Sequence, residues 1–342
     1  MMKLICMLAI TLALGGAASA ADFPCGGATT SPFPALAPND HDHGRYAPQA
    51  AGLRKTFTAY QSVFDDADDD DGDGRADLRF NPEYVAYELR GVGPNAAGDY
   101  PEPAISIQRP SRWYNSVEFA PLLAAVPGVT AKGLDESYAG VGSVWNRGHL
   151  AMSDHAQRIS AEAACNTHQF WNASPQAQDL NQGPWRFLET YSAAAANKYR
   201  SVWIVTGPIF DPATPKLTIG DAGEAPVEIP DGFFKILLHE GPSGVETLAF
   251  IYEQPNALDA AGRPTPSAQW VNCNKAKSLH HRYDPKPQLV SIAQIELRTG
   301  LRFFVGRPDR EHLTARAADH LWPVETRYWD APSACAGQRG VP

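Results

Sequence analysis

Short runs of β-branched and aromatic residues bounded by Gly or Pro recur along the chain, at residues 84–89, 202–206, 233–238 and 247–252, and each reads as a strand. Two segments read as helices. One follows Pro184, a first-turn proline succeeded by Trp185, Leu188, Tyr191 and a run of four alanines. The other is framed by Ser291 with Gln294, a capping box, and by Gly300 as its stop. Strands outnumber helices but the two are mixed, so the pattern predicts an α+β fold around a sheet.

The flanks of this pattern differ in composition. Residues 1–20 have the form of a secretory signal: Lys3 first, then an apolar run too short to span a bilayer, then the small residues Ala18, Ser19 and Ala20. The expected location is therefore secreted or periplasmic. Residues 21–64, rich in Ala, Pro and Gly, read as an irregular leader, 65–80 as an acidic tract, 81–310 as the main domain and 311–342 as a C-terminal extension. No later segment has the ~18 uninterrupted apolar residues of a membrane helix.

Cys25, Cys165, Cys273 and Cys335 remain beyond residue 20, an even number that predicts two disulfides. Three connectivities are open, with closeness in the chain favouring Cys273 with Cys335. The net charge of −9 becomes −10 without Lys3, and residues 65–77, with eight aspartates and one arginine, supply −7 of it. An acidic chain is unusual for a nucleic-acid binder, but the remaining −3 still allows a local basic face.

Between Asn146 and Glu189 the polar residues concentrate: Asn146-Arg147-Gly148-His149, then Asn166-Thr167-His168, Asn172-Ala173-Ser174-Pro175-Gln176 and Asn181-Gln182-Gly183-Pro184-Trp185. Imidazole, guanidinium, amide and carboxylate together suit phosphodiester hydrolysis. A neutral histidine takes a proton from water, an arginine matches paired phosphate oxygens, and an amide oxygen with a carboxylate positions a hard cation and its waters.

At these residues the chain resembles the sugar-non-specific DNA/RNA endonucleases of the ββα-metal (His-Me finger) superfamily, the endonuclease G-like group. The resemblance rests on Arg147-Gly148-His149, Asn172-x-x-Pro175-Gln176 and Asn181-x-Gly183-x-Trp185-x-x-Leu188-Glu189. It implies a central antiparallel sheet flanked by helices and a metal-dependent endonuclease acting on DNA and RNA. His149 is then the general base, and Asn181 is the single protein ligand of one Mg²⁺, for which Mn²⁺ substitutes. Glu189 holds a water on that metal, Arg147 binds phosphate, and Asn172 lies near the scissile group. The implied products carry a 5′-phosphate.

Two positions depart from the family pattern. Asn146 stands where the family usually has Asp, and Ala193 where some members have an arginine, which leaves Arg109 and Arg112 as candidate phosphate-binding residues. A separate signal is Asp69-x-Asp71-x-Asp73-Gly74-x-x-Asp77, which resembles the start of an EF-hand calcium loop but has Phe80 in place of the closing glutamate. A structural Ca²⁺ is its expected ligand. Two alternatives remain open: a narrower phosphodiesterase using His149 and Asn181, and an inert calcium-dependent binding module. The sequence leaves the oligomeric state open.

Overall fold

A computed structural model describes residues 22–37, 39–66, 78–101, 104–330 and 334–342. In chain order its main elements are β1 (Leu53–Thr56), β2 (Gln61–Phe64), β3 (Pro82–Arg90), β4 (Trp145–His149), β5 (Ala173–Ala177), α1 (Arg186–Tyr199), β6 (Ser201–Ile209), β7 (Gly232–Gly241), β8 (Gly244–Glu253) and α2 (Ile292–Thr299). Six strands form one antiparallel sheet in the order β8-β7-β6-β3-β2-β1. The other two, β4 and β5, form a separate antiparallel ribbon from Trp145 opposite Ala177 to His149 opposite Ala173.

Because successive side chains of a strand point to opposite faces, the sheet feeds two cores. Val85, Tyr87 and Leu89 belong to the core that contains Leu188, Tyr191, Ala194 and Ala195 of α1. Tyr84, Ala86 and Ile236 belong to the other, with Ile292 and Ile295 of α2. Helix α2 carries the capping box read from Ser291 and Gln294, and it ends at Gly300 with φ +71°, a left-handed conformation that glycine adopts freely.

Two segments set apart by composition contribute to the fold. The segment expected to be an irregular leader supplies β1 and β2, the outer strands of the main sheet. The C-terminal segment is likewise part of the core. Trp322 and Trp329 are buried, Tyr191 Oη donates to Trp322 O (3.0 Å), and Arg158 pairs with Asp330 at 3.3 Å. Both expected disulfides are present, Cys25–Cys165 and Cys273–Cys335, each with Cα atoms 5.4 Å apart. Among the described residues no helix is long and apolar enough to cross a membrane.

Candidate active site

The β4–β5 ribbon delivers His149 as the last residue of β4. Its preceding glycine is dictated by the ribbon's closeness, because a Cβ on Gly148 would lie 2.6 Å from Gln176 Cβ. Asn172 is wholly buried, and its amide is consumed by backbone. Its Oδ1 accepts from Ala151 N–H (2.7 Å), and its Nδ2 donates to Ala151 O (2.8 Å) and Thr167 O (2.9 Å). Asn172 is not among the residues that line the cleft described below. Its side chain braces the backbone just after His149.

The second half of the site grows from a tight turn. Residues Asn181–Trp185 form a π-helical turn leading into α1, broken at Gly183 (φ −128°, ψ −112°), where a Cβ would collide with the Val271 carbonyl. The turn carries Asn181, and the first turn of α1 carries Glu189. Asn146, the residue that replaces the family's Asp, reaches across from β4. Its Oδ1 accepts from Asn181 Nδ2 (2.9 Å) and from Gln182 Nε2 (3.0 Å).

These elements close around a cleft of about 520 Å³, lined among others by His149, Asn181, Glu189, Arg147, Arg109 and Arg186. The structure thus brings together every residue predicted for the chemistry except Asn172. Of the two candidate phosphate-binding arginines it places only Arg109 here; Arg112 is exposed outside the cleft. Asp69, Asp71, Asp73 and Asp77 lie outside the described residues. Arg186 was not singled out in the sequence, although its position three residues before Glu189 puts both on one helical face. The aromatic setting of His149 was also missed: Trp113 lies 4.6 Å and His168 4.8 Å from its ring, centroid to centroid.

Burial dominates the electrostatics. It holds the His149 imidazole well below its ordinary 6.5, helped by His168 and by the charge of Arg109, so His149 is neutral at pH 7 with a ring nitrogen free to accept a proton. His168 is depressed to about 4 for the same reasons. Glu189 moves the other way, raised by burial to about 7 against the pull of Lys235. Trp185 Nε1 donates to His149 O at 3.4 Å, tying the helix turn to the ribbon.

The donor set fits a hydrated hard cation. Asn146 engages the Nδ2 of Asn181 and leaves its amide oxygen available, while Glu189 Oε1 is buried with no hydrogen-bond partner. Among the described residues no group of three or more His, Cys, Asp or Glu side chains is placed to hold a metal. Mg²⁺ suits such a site, since it keeps most of its waters and needs few protein oxygens.

A two-stranded ribbon running into a helix, with histidine on the ribbon and Asn and Glu at the helix start, is the ββα-metal arrangement. Residues 105–310 match the DNA/RNA non-specific endonuclease family, and the chain belongs to that family. It is 36% identical over 121 residues to human mitochondrial endonuclease G, covering 34% of this chain and 40% of that protein. With the human mitochondrial nuclease EXOG it shares 30% identity over 188 residues, 51% of this chain and 43% of the relative. The chain therefore spans about two fifths of the length of these curated relatives. In fold it is similar to the crystal structure of the EndoG/EndoGI complex, with TM-score 0.50 and 18% identity over 75% of this chain and 86% of that one.

These relatives also correct the location. They are named mitochondrial nucleases, in vertebrates and in Saccharomyces cerevisiae alike, which points away from secretion. The secreted or periplasmic reading of residues 1–20 is withdrawn.

Proposed function

We propose that the chain is a Mg²⁺-dependent endonuclease that hydrolyses phosphodiester bonds of DNA and RNA with little preference for sequence or sugar. The observation that supports it best is the convergence of His149, Asn181, Glu189 and Arg147 in one cleft, from a ribbon and a helix start held together by the Asn146–Asn181 hydrogen bond.

Each residue has a role that follows from its setting. Arg147 and Arg109 bind the phosphate oxygens and draw the scissile phosphorus toward His149. His149, kept neutral by burial, takes a proton from the attacking water as its oxygen bonds to phosphorus. The P–O3′ bond breaks, the 3′ oxygen leaves and takes up a proton from solvent, and the phosphate stays on the 5′ side. Asn181, oriented by Asn146, is the residue that would hold Mg²⁺, and Glu189 accepts hydrogen bonds from water beside it. Bound there, the ion supplies Lewis-acid stabilisation of charge on the phosphate and the departing oxygen. The arginines also answer the acidic net charge: −9 overall is compatible with a cleft that presents Arg109, Arg147 and Arg186.

The test uses residues 21–342 with plasmid DNA and with total RNA, with Mg²⁺ and then with EDTA. Loss of both polymers with Mg²⁺ alone supports the reading. Turnover of small phosphodiesters but of neither polymer would reject it.

A further inference from the structure

Lys235 stands in the middle of β7, between Phe233 and Leu237, which occupy the same face and belong to the core under α1. It is wholly buried, and its Nζ has no hydrogen-bond partner. Besides buried His155, which feels its charge, two groups lie close to that ammonium. Glu189 Oε1 is 4.0 Å away, and the Trp185 ring lies beneath it with Nζ 4.2 Å from the centroid.

Burying an ammonium without a hydrogen-bonded partner is expensive, and an apolar side chain of similar volume commonly serves stability at least as well. What Lys235 touches therefore indicates its use. Both neighbours lead to the cleft: Glu189 lines it, and Trp185, though not part of the lining, donates to the carbonyl of His149, which lines it too. The aromatic face and the carboxylate are the two features that favour the charged form of a buried lysine.

We infer that Lys235 is a positioning residue of the hydrolytic site, the counter-charge that holds the Glu189 carboxylate ionised and turned toward the cleft. The inference rests on the nuclease reading above and deepens it. Through Trp185 the same ammonium is coupled to the backbone of His149, so one buried charge supports both the ribbon and the helix of the site. Glu189 also faces Asp154, Arg186, Arg109 and the buried Tyr87 hydroxyl. Asp154 opposes ionisation, and both arginines are less enclosed than Lys235, so the buried lysine supplies the least screened positive charge.

The experiment compares wild type, Lys235→Met, Glu189→Gln and the double variant on plasmid DNA, measuring kcat, KM and the pH at which the acid limb of kcat is half-developed. Lys235→Met should lower kcat about tenfold or more with KM within about twofold, and move the acid limb up by about one pH unit. Added to Glu189→Gln, the same change should cost less than about twofold, because its target is already gone. A Lys235→Met enzyme with wild-type kcat and acid limb overturns the inference, as does an equal loss with and without Glu189. If the Met variant does not fold, Lys235→Arg and Lys235→Gln replace it, and identical acid limbs for these two also overturn it. An inactive wild type refutes the nuclease reading instead, so the two failures are distinct.

Discussion

Asn146 Oδ1 and Asn181 Nδ2 are 2.9 Å apart, and this hydrogen bond fixes which end of the Asn181 amide is available to a cation. Partners that orient a metal ligand in this way typically matter 10–100-fold in metal affinity. Asn146→Ala should therefore raise the Mg²⁺ concentration for half-maximal activity by about tenfold, with kcat at saturating Mg²⁺ largely kept. Asn146→Asp should leave it near wild type, because a carboxylate accepts the same bonds. A Mg²⁺ titration of the three enzymes checks both, and an unchanged titration for the alanine variant would show that Asn146 does not orient Asn181 toward the ion.

Arg186 has its own test in ionic strength. A side chain that neutralises one phosphate contributes about 0.9 to the slope of log affinity against log salt on duplex DNA, and about 0.7 on single strands. Arg186→Ala should reduce the slope of log kcat/KM by about that amount and raise KM. Arg112→Ala, outside the cleft, should leave the slope unchanged. Equal slopes for wild type and Arg186→Ala would exclude it from the phosphate path.

His43 links the fold to pH. Its ring is buried, Nε2 bonds to Thr58 O (2.9 Å), and Nδ1 accepts the Glu88 N–H (3.1 Å), so protonation of Nδ1 would break that second bond. Burial lowers its pKa from 6.5 to about 4. The unfolded chain then takes up a proton as pH falls below 6.5 while the folded chain does not until about 4, so stability is full above 6.5 and is lost through that window. For this one group the loss between pH 7 and pH 5 is on the order of 2 kcal/mol. Urea unfolding at the two pH values should show a dependence smaller by about that amount in His43→Gln; an identical dependence would contradict it.

The Cys273–Cys335 disulfide bears on the turn that carries Asn181 as well as on stability. Cys335 Sγ lies 3.7 Å from Gly183 O, inside the turn that carries Asn181. With the cysteines 62 positions apart in the chain, chain entropy alone gives the bridge roughly 4 kcal/mol. Replacing both by serine should lower the Tm and raise the Mg²⁺ requirement together. A lowered Tm with an unchanged Mg²⁺ titration would show the turn to be held without it. With both bridges closed, residues 21–342 should titrate as free of thiols under denaturing, non-reducing conditions.

What the sequence revealed of the site was its local part. His149, Asn181 and Glu189 each sit in a short motif on one element, and the resemblance of those motifs to the family pattern singled them out. Asn172 belongs to such a motif too, but whether an amide faces a cleft or the backbone depends on tertiary packing, and here it faces the backbone. Arg109 and Arg112 were indistinguishable as letters; the path of the chain admits one and excludes the other. In the fold, the strongly apolar runs 84–89, 202–206, 233–238 and 247–252 were legible as strands. β1, with the sequence Leu-Arg-Lys-Thr, was not, because an outer strand carries charges and lacks an apolar run. Lys235 lay inside one of the legible strands, and only the packing of α1 on that face shows what it meets.

The most direct test of the proposed chemistry is the turnover of His149→Ala on plasmid DNA at saturating Mg²⁺, with circular dichroism confirming the fold. A positioned general base contributes about 10²–10⁴-fold. Turnover at least ~10²-fold below wild type in a folded variant is the predicted result. Near-normal turnover in that variant would contradict His149 as the base, and with it the reading of the cleft.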